Sequence, residues 1–97
     1  MAKYVLLLRF THQGAQNIKD GPARLEAAKE TLQGLGAELE DFYLTLGEYD
    51  AVVVVEARDD KTLAKASLAI SSLGNVRIET LRAFTEEEYG EIVGAIS

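Results

Sequence analysis

The feature that most constrains this chain is that two of its predicted strands are apolar on both sides. The first strand covers Lys3 to Phe10 and the third covers Ala51 to Ala57. Successive side chains of a strand point to opposite faces of its sheet. One side carries Tyr4, Leu6, Leu8, Val53 and Val55, and the other carries Val5, Leu7, Val52 and Val54. Both faces of the sheet therefore need a cover, which is a demanding requirement for a chain of 97 residues.

The segment between these two strands predicts a helix and another strand. Asp20-Gly21-Pro22 suits the opening turn of a helix, and Gly34 and Gly36 suit its end. Apolar residues follow between them at helical spacing, namely Leu25, Ala28, Leu32 and Leu35. Ala37 to Leu46 predicts the second strand, joined by a turn at Gly47 to Asp50 to the antiparallel third strand.

The last third of the chain repeats the pattern and then adds a helix. Asp59 or Asp60 predicts the cap of a second helix, with Leu63, Ala66, Ile70 and Leu73 at helical spacing, and Gly74-Asn75 ends it. Val76 to Phe84 predicts the fourth strand. Thr85 and Glu88 have the spacing of a capping box for a short terminal helix, whose apolar side carries Tyr89, Ile92, Val93 and Ile96.

The element order is βαββαβ with an extra C-terminal helix, which is the split βαβ arrangement of a ferredoxin-like α+β domain. We expect a single domain over residues 1–97. Two helices cover one face of a four-stranded antiparallel sheet and leave the other face apolar and open. The sequence therefore predicts sheet-to-sheet pairing of two copies, as in a dimeric α+β barrel or a larger even-numbered oligomer. The alternative is that the terminal helix folds back over the second face.

Composition argues against several classes of partner. The net charge of −6 repels nucleic acid and anionic membranes, so we expect neither as a partner. The chain has no cysteine, which excludes disulfides and thiolate sites and fits a reducing cytoplasm. The apolar run between Lys3 and Arg9 is too short for a signal core or a membrane span. No metal-binding or cofactor-binding motif occurs, so we expect no cofactor.

The turn between the second and third strands carries the most distinctive motif. Tyr43-Leu44-Thr45-Leu46-Gly47-Glu48-Tyr49-Asp50, followed by the valine run, resembles the signature of the GYD-domain family, in which the turn reads Gly, any residue, Tyr, Asp. Phe10-Thr11, Gln13-Gly14, Asn17, Lys19 and the segment Gly74 to Phe84 extend the resemblance over nearly the whole chain. The resemblance implies a ferredoxin-like fold, in a family that largely lacks an assigned activity.

Two better-understood groups are similar in layout. Dimeric α+β barrel proteins, such as the antibiotic-biosynthesis monooxygenases, resemble the chain in topology, and fold alone does not fix function. The ligand-sensing domains of feast/famine regulators are also similar in the turn, which lies near an effector pocket at a subunit interface. That resemblance implies a position for Gly47, Tyr49 and Asp50 beside a small ligand. A regulator activity of its own is disfavoured because the chain has no DNA-binding helix pair and no basic surface.

Each turn residue has a structural reading beside the functional one. Gly47 allows backbone angles closed to other residues. Asp50 either accepts hydrogen bonds from nearby backbone amides and stabilises the turn, or accepts a ligand amine. Tyr49 suits a pocket wall or an interface contact equally well.

Further candidates surround the turn. Tyr43 and Thr45 share one face of the second strand, and Arg9 and Arg82 are expected to line the sheet beside them. His12 is the sole histidine, which offers a base or ligand but reads by default as an exposed loop residue.

Two functions follow from these observations. The first is an oligomeric module of unassigned activity that binds a small organic ligand, or only assembles, with the turn residues shaping the interface. The alternative is a small cofactor-independent oxygenase or isomerase that uses Tyr43, His12 or an arginine in a buried, partly polar cavity. Whether the chain is an enzyme is left open by its sequence.

Overall fold

The two strands that are apolar on both sides lie at the centre of a four-stranded antiparallel sheet. The computed structural model describes residues 1–97. Its strands are β1 (Ala2–Phe10), β2 (Glu38–Leu44), β3 (Ala51–Ala57) and β4 (Val76–Ala83). Their order across the sheet is β2-β3-β1-β4, and every neighbouring pair is antiparallel. The predicted ferredoxin-like α+β fold is confirmed.

Four helices accompany the sheet. They are α1 (His12–Gln16), α2 (Gly21–Gly34), α3 (Asp60–Ser71) and α4 (Glu86–Gly94), and a 3₁₀ turn at Ile18–Asp20 precedes α2. The sequence did not predict α1 or the 3₁₀ turn. Helix α1 begins there because the Thr11 hydroxyl accepts the Gly14 amide at 3.1 Å, which satisfies a free amide of the first turn. No helix is both long enough and apolar enough to span a bilayer.

The ends of the elements follow the expected caps with two exceptions. Asp59 caps α3 by accepting the Thr62 amide at 2.9 Å, and Thr85 and Glu88 form a capping box on α4. Asp20 precedes α2 but makes no capping bond, because the 3₁₀ turn holds its backbone in a helical conformation. Strand β2 is shorter than the predicted Ala37 to Leu46, because Thr45 bonds to the turn instead of continuing the ladder.

One side of the sheet, the helix side, carries the core. Tyr4, Leu6, Val53 and Val55 point there and pack with residues of α2 and α3, namely Leu32, Leu63 and Ala66. The Tyr4 hydroxyl donates a hydrogen bond to the Asp60 carboxylate, which joins β1 to the first turn of α3. Burial, followed by this hydrogen bond, raises the pKa of Tyr4 to about 12.

The other side of the sheet is open. We define the open face as the apolar residues that alternate with the core residues or pair beside them, namely Val5, Leu7, Tyr43, Val52, Val54 and Leu81. Helix α4 does not cover this face with its apolar side, since Tyr89, Ile92, Val93 and Ile96 are 46% to 72% exposed. The alternative in which the terminal helix supplies the second cover is therefore wrong for the single chain.

The Tyr4 hydroxyl predicts a loss of stability at alkaline pH. The folded state keeps the phenol proton to about pH 12, whereas an unfolded tyrosine releases it near pH 10. Stability from this group is therefore complete below about pH 10 and is lost as pH rises toward about 12. Urea unfolding from about pH 8 upward should show a shallower alkaline decline in Tyr4→Phe than in wild type. The control Tyr89→Phe, on exposed α4, should keep the wild-type slope; equal slopes in all three proteins would contradict the prediction.

Candidate functional site

The turn between β2 and β3, residues 45–50, is fixed by its own hydrogen bonds. The Thr45 amide donates to the Asp50 carbonyl at 2.9 Å, and the Thr45 hydroxyl donates to the Tyr49 carbonyl at 2.6 Å. Gly47 has a φ of 108°, in the left-handed region where any side chain is strained, although no atom would obstruct a Cβ there. Thr45 and Gly47 therefore serve to set the path of the turn.

Asp50 ties this turn to the end of the central strand β1. Its amide donates to the Leu8 carbonyl at 2.8 Å, and its carboxylate accepts the Phe10 amide at 2.8 Å. The bond therefore reaches a neighbouring strand and not, as the sequence reading expected, the turn itself. Asp50 is half-buried, and one carboxylate oxygen is already committed to the backbone.

Tyr49 connects the turn to β1 and β4 through a polar network. The Arg9 guanidinium carbon lies 4.7 Å from the centre of the Tyr49 ring, and the Tyr49 hydroxyl donates to the Glu79 carboxylate at 2.6 Å. Arg9 also donates to the Glu48 carboxylate at 2.7 Å and to the Glu48 carbonyl at 3.2 Å. We call Arg9, Glu48, Tyr49 and Glu79 the polar network.

The electrostatics of the network favour a donor role for Tyr49. The hydrogen bond to the Glu79 carboxylate, with desolvation and the charges of Glu79 and Glu48, raises the pKa of the Tyr49 hydroxyl. A phenol that holds its proton more tightly is a poor general base and a good hydrogen-bond donor. The arrangement suits recognition better than proton abstraction.

The network lies at one end of the open face. Strand pairing places Tyr43, Val52, Leu7 and Glu79 in one row across the sheet, all on the same side. Tyr43 is 59% exposed and stands beside the apolar centre of this face. The structure thus brings Arg9, Tyr43, Thr45, Gly47, Tyr49 and Asp50 to one region.

Two sequence candidates lie elsewhere. Arg82 pairs with Tyr4, and its guanidinium carbon lies 5.5 Å and 4.4 Å from the ring centres of Tyr4 and Phe84. The expectation that Arg82 lines the sheet beside Tyr43 is wrong, because Arg82 is on the helix side and an odd number of residues from Arg77, which pairs with Arg9. His12 is exposed at the start of α1.

Glu48 and Glu79 are members of the network that the sequence reading missed. Glu48 occupies the variable position of the turn motif, which gave it no weight. Glu79 could have been found by alternation, because it shares a face of β4 with Leu81 and Arg77. Its partner in the turn depends on strand order, which the motif alone does not give.

The region holds no evident catalytic constellation. Tyr43 and His12 are exposed and line neither of the two main cavities. Arg82 lines a recess on the helix side, with Tyr4 and Asp60. No group of three or more histidine, cysteine or acidic residues is arranged to hold a metal ion.

Fold and site together define a class: a ferredoxin-like α+β domain with an open apolar sheet face and a polar network at the turn after β2. The family model described as "GYD domain" matches residues 4–93. The chain belongs to the GYD-domain family.

Comparison with individual proteins adds a named function and related folds. The chain is 36% identical over 84 residues to the glutamine synthetase and cystathionine beta-lyase binding protein of Thermus thermophilus, covering 86% of this chain and 88% of that protein. A second Thermus thermophilus protein, of known crystal structure, is 29% identical with a TM-score of 0.57, covering 88% of this chain and 95% of its own.

A feast or famine regulatory protein from M. tuberculosis, solved with L-methionine, superposes with a TM-score of 0.67 at 21% identity. The match covers 88% of this chain and 51% of the regulator, so the chain spans about half of that protein's length. This likeness shows the fold. None of these relatives supports an oxygenase or isomerase.

Removal of the Asp50 carboxylate should destabilise the fold at the turn. In Asp50→Ala the Phe10 amide loses a charged acceptor, which costs about 1–3 kcal/mol of unfolding free energy. Asp50→Asn keeps an acceptor oxygen and should lose less. Urea unfolding measures the free energy, and amide hydrogen exchange at Phe10 should be faster in Asp50→Ala. Unchanged stability and exchange would show that this bond does not hold the turn to β1.

Proposed function

We propose that the chain is a non-catalytic binding module that assembles through its sheet as a homodimer or a larger even-numbered oligomer. The observation that carries the proposal is the open face, which is apolar at its centre and uncovered by α4. Burial of apolar area is the main favourable term in protein association. We also infer that the module works in the cytoplasm, which a cysteine-free chain fits.

The pattern of the open face favours pairing with a second copy. Its apolar centre is bordered by charged groups at both ends: Lys3 pairs with Glu40 at 2.9 Å, and Arg9 pairs with Glu48 at 2.7 Å. An apolar centre with a polar rim is the usual composition of a protein interface. A two-fold dimer uses one such patch twice, so a single self-complementary face is sufficient.

The polar network then lies at the rim of the proposed interface. Arg9, Tyr49 and Glu79 present a guanidinium, a phenol and a carboxylate from three different segments of the chain. In this model the turn residues Gly47 and Asp50 hold that set in place, and a small organic ligand or a protein partner binds where two copies meet.

A protein partner is favoured by a specific finding. The Thermus thermophilus relative aligns with most of this chain and is named for binding glutamine synthetase and cystathionine beta-lyase. We propose that this chain likewise binds an enzyme of amino-acid metabolism. Binding of another protein needs no catalytic group, which agrees with a site built for recognition.

A charge placed on the open face should separate the copies. Val54 pairs directly with Val5, so Val54→Asp introduces a carboxylate at the apolar centre. An unpaired buried charge costs several kcal/mol, so we expect the dimer to weaken about a hundredfold or more. Native mass spectrometry and light scattering give the mass, and circular dichroism reports folding. The control Leu68→Asp, at an exposed position of α3, should keep the wild-type mass. A monomeric wild type would refute sheet pairing.

Enzyme binding can be tested with purified glutamine synthetase from the same organism. We expect saturable binding by wild type and by Leu68→Asp in calorimetry or biolayer interferometry. Val54→Asp should bind more weakly if the partner recognises the assembled module. No binding to glutamine synthetase or to cystathionine beta-lyase by any of the three proteins would reject the protein-partner candidate and leave the assembly proposal standing.

A further inference from the structure

A large apolar cavity lies on the helix side of the sheet, away from the open face. Its volume is about 610 Å³, within the range of small-molecule sites. It is enclosed by α2, α3 and the helix-side residues of all four strands, and 17 of its 22 lining residues are hydrophobic. Leu44 and Leu73 are 69% and 65% exposed at its rim, which marks an entrance from solvent.

Arg24 of α2 is the one charged residue in the wall of this cavity. None of the five ion pairs of the chain includes Arg24, although the chain has 16 acidic residues. Its terminal nitrogens donate to the carbonyls of Asn17 and Gly14, at 2.9 Å and 3.2 Å. These two bonds occupy two of the five guanidinium N–H groups, so three are left for a ligand.

The start of α2 adds to the positive potential at the same place. Gly21 and Pro22, the first residues of this 14-residue helix, also line the cavity. The Asp20 side chain makes no capping bond to the helix. The partial positive charge of the helix terminus therefore has the same sign as the Arg24 guanidinium and lies in the same turn.

We propose that this cavity binds an amphipathic monocarboxylate, such as a medium-chain fatty acid. The apolar chain of the ligand occupies the space between the helices and the sheet, and the ligand carboxylate pairs with Arg24 at the start of α2. One unpaired cation in an otherwise apolar wall selects an anion with a single charge and a long apolar part. A dianion leaves its second charge without a partner, and a polar ligand leaves the apolar wall uncovered.

This site is independent of the proposed assembly. Alternation along the strands directs Leu6 and Val53 into the cavity, whereas Leu7 and Val52 point to the open face. A second copy on the open face therefore leaves the entrance near Leu44 and Leu73 accessible.

The first experiment is calorimetric titration of the full chain with hexanoate, octanoate and decanoate, below their micelle concentrations. Burial of each added methylene in an apolar wall strengthens binding about fourfold, so affinity should rise steadily along the series. Octan-1-ol, which has the same chain without the charge, should bind about ten- to a hundredfold more weakly than octanoate. A flat series, or equal affinity for alcohol and acid, overturns the proposal.

Variants assign the two halves of the ligand. Arg24→Gln should weaken octanoate about ten- to a hundredfold and leave octan-1-ol unchanged, which separates carboxylate recognition from loosening of the segment that Arg24 tethers. Lys65→Gln removes an exposed cation of α3 outside the cavity and should change neither affinity. Equal weakening of acid and alcohol by Arg24→Gln overturns the role of Arg24.

Blocking the cavity tests its location. Ala28→Phe, or Ala69→Phe if the first variant does not fold, fills the space and should abolish octanoate binding while the oligomeric mass is unchanged. Amide chemical shifts of Leu44 and Leu73 should move with octanoate in wild type only. Strong hydrogen-exchange protection of both residues in the ligand-free oligomer, together with no octanoate binding, would show that a second copy fills the cavity and would overturn the proposal.

Discussion

The structure depends on the pairing of two strands, β1 and β3, that are apolar on both sides. Their register joins Val5 to Val54 and Leu7 to Val52 on one face and Tyr4 to Val55 and Leu6 to Val53 on the other. A slip of one residue moves every side chain to the opposite face, but here it exchanges one apolar set for another. Hydrophobic alternation alone therefore specifies this register weakly, and other contacts must fix it.

The turn at residues 45–50 supplies such contacts, which explains why its motif is structural before it is functional. The Asp50 amide and carboxylate bond to β1 at Leu8 and Phe10, so they set where β3 begins relative to β1. Gly47 lets the chain turn within a few residues, and the Tyr49 side chain extends the connection to Glu79 on β4. A turn that fixes three strands also holds its exposed side chains in a constant geometry, which is what a recognition surface needs.

The fold was predictable because its signals are local, and the site was only partly so because its geometry is not. The caps at Asp59 and Thr85 lie within a few residues of the amides they bind, and the helical spacing of Leu25, Ala28 and Leu32 is visible in the chain itself. Arg82 was misplaced because its side of the sheet depends on an odd or even count from a pairing residue that the sequence does not identify. The cavity beside Arg24 is a property of how far α2 and α3 stand from the sheet, which no periodicity encodes.

The size of the chain gives the two uncovered surfaces a common physical origin. Only 12 of the 97 residues are buried, so the single chain has a thin core. The open face and the apolar cavity lie on opposite sides of that core, and each leaves hydrophobic area in contact with water. Any molecule that covers either surface in the folded state alone stabilises that state by mass action. A second copy and a bound ligand thus act on the same folding equilibrium from opposite sides of one sheet. Binding at one surface therefore raises the population of folded chain that is available to the other, without contact between the two sites.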